Sequence, residues 1–176
     1  MDRVDENKSE YARLHRSSAL FSLFMALLIC AVIFIGIFQG TQIADEGMAP
    51  TLHAGDVILF SRWSKYLAAP KRGDIFAIDG DVGLSLGRVV ALPDETVQID
   101  KGNLYVNGAF LSESAYMQYA DLDMDELHVP EGSYLLLPDS REYMVIVPEN
   151  MCVSVDELRG RALIRVSPLS RFGIFE

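Results

Sequence analysis

Serine, lysine and carboxylate side chains are the groups in this chain that could do covalent chemistry, and their placement limits what that chemistry is. A hydroxyl attacks a carbonyl only when a base takes its proton. A lysine serves as that base only where a desolvated site keeps its amine neutral. From Gln39 onward there are three lysines, Lys65, Lys71 and Lys101. Lys71 stands in a Pro-Lys-Arg-Gly turn and Lys101 in an Asp-Lys-Gly turn, so both amines are expected in water. Lys65 near Ser61 and Ser64 reads as a chance adjacency. His53 and His128 are isolated, no Cys/His cluster has metal-ligand spacing, and no cofactor is implied. Asp121, Asp123, Asp125 and Glu126 alternate with Leu122 and Met124, but without the glycine and late acid of a calcium loop. Residues 112–126 are therefore read as a solvated loop.

The elements that must position these groups divide the 176-residue chain in two. Residues 19–38 run for twenty positions without a charge, long enough for a helix to cross a hydrocarbon core of roughly 30 Å. The run is too long for a signal-peptide apolar region and no Ala-x-Ala site follows it, so an uncleaved anchor is expected. Lys8, Arg13 and Arg16 precede the span and Asp45 and Glu46 follow it, which predicts a cytoplasmic tail at 1–18 and an extracytoplasmic head at 39–176. The head carries 21 acidic against 11 basic residues, an electrostatic balance that excludes nucleic acid as a partner. Cys30 lies in the span and Cys152 alone in the head, so no disulfide forms within the head.

The head reads as all-β. Short β-branched and aromatic runs recur at 57–60, 74–78, 88–91, 96–99, 104–106, 109–111, 134–137, 144–147 and 162–166, each bounded by turn residues. Asn107-Gly108 predicts a type I′ hairpin, because both central residues must take positive φ. Pro93-Asp94 and Lys101-Gly102-Asn103 add turns. Residues 61–69, with Trp63 and Tyr66, predict a single helical turn or a loop, with the aromatic pair either packed or touching a membrane interface.

Gly47-Met48-Ala49-Pro50-Thr51-Leu52 resembles the Ser-Met-x-Pro-Thr-Leu motif of the type I signal peptidase family. Gly87-Arg88, within Leu86-Gly87-Arg88-Val89-Val90-Ala91-Leu92-Pro93, is similar to that family's Lys-Arg pair. Gly55-Asp56, Arg72-Gly73-Asp74, Tyr105-Val106-Asn107-Gly108, Pro138-Asp139-Ser140-Arg141 and Gly160-Arg161-Ala162 continue the likeness over nearly the whole chain. The resemblance implies a signal-peptidase β fold with one N-terminal transmembrane helix. It also places Gly47 in the nucleophile slot and Gly87 in the slot of the general base. Arg141 and Gly160 lie nineteen apart, the family's spacing, which puts the family's supporting polar slots on Met144, Ile146, Val147 and Pro148. Asp45 takes the place of a glycine or oxyanion-binding serine, where a carboxylate would repel a developing oxyanion. Ser85, two residues before Gly87, does not replace a base.

What the resemblance then implies is a membrane-anchored protein without catalytic residues. Its site is framed by Asp45, Met48, Pro50, Arg88, Asp139 and Arg141, and its cleft binds an extended peptide by strand addition. It resembles the accessory proteins of Gram-positive pilus clusters, with pilin subunits and a sortase as partners. Two other readings stand beside it: an active signal peptidase with relocated catalytic groups, and a non-catalytic partner of an active signal peptidase.

Overall fold

The computed structural model describes residues 2–80, 83–111, 123–140 and 152–175. Two units are separable, residues 1–37 and 38–176. The first is a single helix, α1 (Asp2–Ile37), which starts well ahead of the apolar run and ends one residue before its last position. Its stretch Leu20–Ile37 has a mean hydropathy of 2.9 with none of its side chains buried, long and apolar enough to cross a membrane.

The second unit is built from twelve described strands. A large antiparallel sheet has the order β1 (Phe38–Gln42), β2 (Val57–Ser61), β11 (Leu158–Ser167), β3 (Ile75–Gly80), β4 (Gly83–Ala91), β9 (Ser133–Leu137) and β10 (Cys152–Ser154), with β12 (Gly173–Ile174) beside β11. A smaller sheet has the order β7 (Ala109–Phe110), β6 (Asn103–Val106), β5 (Thr96–Asp100) and β8 (Met124–His128). The all-β expectation holds. Asn107 and Gly108 both take positive φ, 52° and 75°, and so do Lys101 and Gly102 at 49° and 75° in the preceding hairpin turn. Residues 64–67 form one helical turn, α2, as the sequence allowed. The expected strand at 144–147 lies outside the described residues. The expected loop at 112–126 is corrected at its end: Met124–His128 is a strand whose Met124 is buried against β5 opposite Ile99, so local acidity gave way to one apolar anchor.

Alternation decides the core. β9 buries Tyr134 and Leu136 on one face of the large sheet, with Phe76, Val89, Val153 and Leu158. Its Leu135 and Leu137 point the other way, into a cluster with Val90, Val97, Ile99 and Leu104 that joins the two sheets. A third cluster packs Ile43, Met48 and Leu52 on Ile58, Ile75 and Ala162.

The repeated Gly-Asp pair has one geometry at both places. Gly55 and Gly73 take φ of 89° and 92°, which L side chains resist. The following aspartate closes the turn by accepting the N–H three residues back, His53 to Asp56 at 3.1 Å and Lys71 to Asp74 at 3.0 Å. Arginines then tie each turn to the C-terminal segment: Arg171 reaches buried Asp56 at 2.6 Å and Arg161 of β11 reaches Asp74 at 2.8 Å.

Candidate functional site

The loop after β1 is pinned from within and from below. Met48 and Leu52, four residues apart, are both fully buried, and the Leu52 N–H donates to the Met48 carbonyl at 2.8 Å. Glu46 accepts hydrogen bonds from the Ala54 N–H at 3.1 Å and pairs with His53 Nδ1 at 2.9 Å. His53 therefore braces this loop, a role that its isolation in the sequence gave no sign of. The Gly47 carbonyl accepts the Ser140 N–H at 2.9 Å, which joins the loop to the segment after β9.

Three distant motif residues meet beneath this loop. Arg88 Nε and Nη2 donate to the two Asp139 carboxylate oxygens at 2.8 and 2.6 Å, and Nη1 donates to the Gly73 carbonyl at 2.9 Å. The Thr51 hydroxyl donates to Asp139 at 2.5 Å and accepts from Arg88 at 3.2 Å. Arg88 is 2 % exposed and Asp139 fully buried. A fork-shaped guanidinium and a carboxylate in this bidentate arrangement fix the approach of the motif loop, β4 and β9 to one another. Their sequence assignment as binding residues is thereby narrowed: they position the site and are closed to a ligand.

Gly87 lies on the opposite face of β4 from Arg88. A Cβ there would stand 2.9 Å from Leu136 Cβ, inside contact distance. At Gly47 a Cβ would stand 2.9 Å from Asp45 Oδ1, the end of an exposed side chain that can move. The Asp45 carboxylate itself accepts the Gly47 N–H at 2.8 Å. A backbone N–H already bonded to a carboxylate is not open to a developing oxyanion.

Beside Asp45 lies a shallow open hollow lined by the polar Thr41 and Gln42 as well as Ile43, Ala44, Met48, Leu84 and Leu86. The same stretch of β4 has a free edge. β3 pairs it from Gly83 to Arg88, while β9 joins the other side only at Arg88, Val89 and Ala91. Among the described residues, Gly83–Gly87 thus offers unpaired backbone groups next to the hollow, which suits an added strand. Met48 forms the floor of this hollow, Pro50 is exposed on the same loop, and Arg141 lies outside the described residues, as do Met144, Ile146, Val147 and Pro148.

Other reactive groups are otherwise engaged. Lys65 donates to the carbonyls of Val155 and Asp156 at 3.0 and 2.8 Å, and the Ser64 hydroxyl donates to the Ser61 carbonyl at 2.8 Å, so this adjacency is structural. Lys71 and Lys101 are exposed. Burial pushes the Cys152 thiol up, which disfavours its thiolate. A hydrogen bond from Arg159 holds the exposed Asp79 carboxyl below its usual range. The Ser140 hydroxyl, 1 % exposed, has no described partner.

Residues 16–144 match the family model described as signal peptidase, peptidase S26. The chain belongs to the signal peptidase family. Signal peptidase I of Bacillus licheniformis is 30% identical over 95% of this chain and 95% of its own. Signal peptidase I of Leptolyngbya laminosa is 30% identical over 77% of this chain and 71% of its own. A solved signal peptidase I from Enterococcus faecalis V583 is 26% identical, with a TM-score of 0.45, covering 53% of this chain and 97% of that one. These relatives correct the reading of the chain as a non-catalytic accessory in pilus assembly with pilins and a sortase. Similarity over 95% of this chain in one relative and 77% in the other leads to proteins named signal peptidase I, and so to signal-peptide processing. The pilus reading rested on two glycines and was drawn too far from them.

Proposed function

We propose that this signal peptidase family member serves signal-peptide processing at a membrane, holding the extended segment of a preprotein along the free edge of β4 with a side chain in the adjoining hollow. The observation that carries this reading is the edge Gly83–Gly87, which has no second partner strand among the described residues and lies beside the hollow and the pinned motif loop. The apolar helix supplies the anchor, with its amino terminus cytoplasmic and the head outside. Within that function the chain is a non-catalytic partner of an active signal peptidase. The two slots read as nucleophile and base are glycines, and Asp45 occupies the Gly47 N–H. The purified full chain in lipid vesicles is expected to leave a standard preprotein uncut, and to alter its processing when an active signal peptidase is present.

The names of the relatives favour the other reading, hydrolysis by relocated groups. Ser140, bonded through its N–H to the Gly47 carbonyl, is the serine beside the loop that would have to attack. Its hydroxyl is buried without a described partner to take its proton. Preprotein cleavage by the full chain that is lost in Ser140→Ala would establish this second reading and overturn the first.

Restoring Gly47→Ser together with Gly87→Lys is expected to give no processing. Side-chain atoms at position 87 press on Leu136, and overpacking of this kind costs about 1–3 kcal/mol. A serine at position 47 would also compete with Asp45 for space and face its charge. Preprotein cleavage by the double variant near an active relative's rate would contradict this.

A further inference from the structure

A second and larger cleft, of about 250 Å³, opens at the end of the large sheet where the chain enters the head. It is lined by Gln39, Phe60, Arg62, Asp79, Leu84 and Arg159. Phe38, the first residue of β1, pairs with Ser61, and Gln39 pairs with Phe60, so Arg62 continues β2 past the start of β1. Gln39 also follows the apolar stretch Leu20–Ile37 by two residues. Two residues of extended chain reach at most about 7 Å. The headgroup layer of a bilayer is about 5–7 Å deep on each side. With that stretch as the anchor, covalent continuity alone holds Gln39 at the depth of lipid headgroups.

The groups on this cleft suit a phosphate. Arg159 turns its Nε and Nη2 to Asp79, at 2.8 and 2.6 Å, in an exposed pair. Among the described residues its Nη1 has no acceptor, and the exposed Arg62 has neither a hydrogen bond nor an ion pair. Two guanidiniums against one carboxylate leave the cleft positive, inside a head of 21 acidic and 11 basic residues. The residues after Arg62 carry an independent sign of lipid. Trp63, Tyr66 and Leu67 are 55%, 69% and 81% exposed. Trp63 and Tyr66 meet each other edge to face at 6.2 Å and leave the core to others. The Ser64 hydroxyl accepts the Arg161 N–H at 3.0 Å, which seats this turn over the end of β11 that carries Arg159. Exposed amphipathic rings beside arginines are what a membrane–water interface takes up.

We infer that this cleft binds the headgroup of an anionic phospholipid, its phosphate oxygens accepting from Arg62 and Arg159 while Trp63, Tyr66 and Leu67 enter the interface beside it. The inference goes beyond the peptide-holding role and rests on the helix as anchor. A guanidinium fork meets phosphate oxygens two at a time. The net acidity of the head opposes any broad contact with an anionic surface, so one headgroup is recognised at short range.

Trp63 is the only tryptophan in the chain and stands next to Arg62, so its fluorescence reports the lipid beside the cleft. The full chain is placed in nanodiscs of phosphatidylcholine with a minor fraction of phosphatidylglycerol. An equal fraction of one lipid or the other carries bromine on its acyl chains as a quencher. Brominated phosphatidylglycerol is expected to quench Trp63 as if enriched roughly fivefold over brominated phosphatidylcholine, the weight of about one basic contact at a membrane surface. Arg62→Gln should remove most of this excess without lowering thermal stability, since Arg62 makes no described contact. Arg62→Lys should keep part of it, and Lys101→Gln, in a turn of the smaller sheet, all of it. Soluble glycerol 3-phosphate at the same concentration should not displace it, because no acyl chain holds that phosphate at the interface. Equal quenching by the two lipids, an excess unchanged in Arg62→Gln, or its loss to glycerol 3-phosphate would overturn the inference. Trp63 untouched by either quencher would place the turn away from the membrane and overturn it too. Failure of the chain to enter nanodiscs would overturn the anchor and the inference with it. Peptide holding along β4 stands or falls separately.

Discussion

Asp139→Ala is expected to destabilise the head by roughly 3–5 kcal/mol, the usual cost of breaking a buried ion pair by removing one partner. Arg88 is 2 % exposed and sends two hydrogen bonds to Asp139. Without the carboxylate, its guanidinium keeps the Gly73 carbonyl and Thr51 hydroxyl among the described residues and loses the bidentate acceptor that Asp139 supplies. The Thr51 hydroxyl loses its acceptor as well. The effect should reach the site, because Thr51 belongs to the motif loop and Asp139 to the segment that holds Gly47. The double replacement Arg88→Met with Asp139→Leu should be far milder, since an apolar pair leaves no charge unpaired. Denaturant unfolding of the full chain, followed by circular dichroism, measures both. A loss below about 1 kcal/mol in Asp139→Ala would show that the pair is not what locks the three motifs together.

Gly160→Ala is expected to be the most damaging single methyl addition in the head. A Cβ at this position would lie 2.5 Å from the Ser61 carbonyl oxygen and 2.8 Å from Phe60 Cδ2. The first of these is backbone, held in the central pairing of β2 with β11, so it cannot turn away as a side chain end would. Gly160 also adjoins the irregularity where the register of β11 against β3 shifts between Leu158 and Gly160. Relief requires separating two central strands, and a loss at or above the usual overpacking range of about 1–3 kcal/mol follows. Gly173→Ala, where a Cβ meets nothing within 4 Å, is the control and should change little. Similar midpoints for the two variants would contradict the close strand approach.

These two sites show what was legible in the sequence. The strand runs and the Asn107-Gly108 hairpin announced an all-β head, because alternation and positive-φ turn residues act locally. The motif residues Thr51, Arg88 and Asp139 were visible as a family frame. Their burial against one another was not, since a sequence motif does not say whether a charged side chain faces a ligand or a partner. Asp45 was legible as an unsuitable neighbour for an oxyanion, and its hydrogen bond to the Gly47 N–H gives that reading a geometry. β8 was hidden because the four acids at 121–126, two of them ahead of the strand, outweighed the single buried Met124 in any local reading. That Gly83–Gly87 of β4 has no second partner strand among the described residues could not be read at all. It depends on where β9 stops pairing, which is a property of the assembled sheet.

The peptide-holding role is tested most directly by photocrosslinking in membranes. A photoreactive amino acid replaces Leu84, which is 37% exposed at the hollow, or, as a control, Phe110 on the smaller sheet. A radiolabelled preprotein is then supplied and the sample irradiated. The account predicts an adduct from position 84 that maps to the segment ahead of the preprotein's cleavage site, competed away by excess unlabelled preprotein, with no such adduct from position 110. Adducts of equal yield from both positions, or none from position 84, would contradict it.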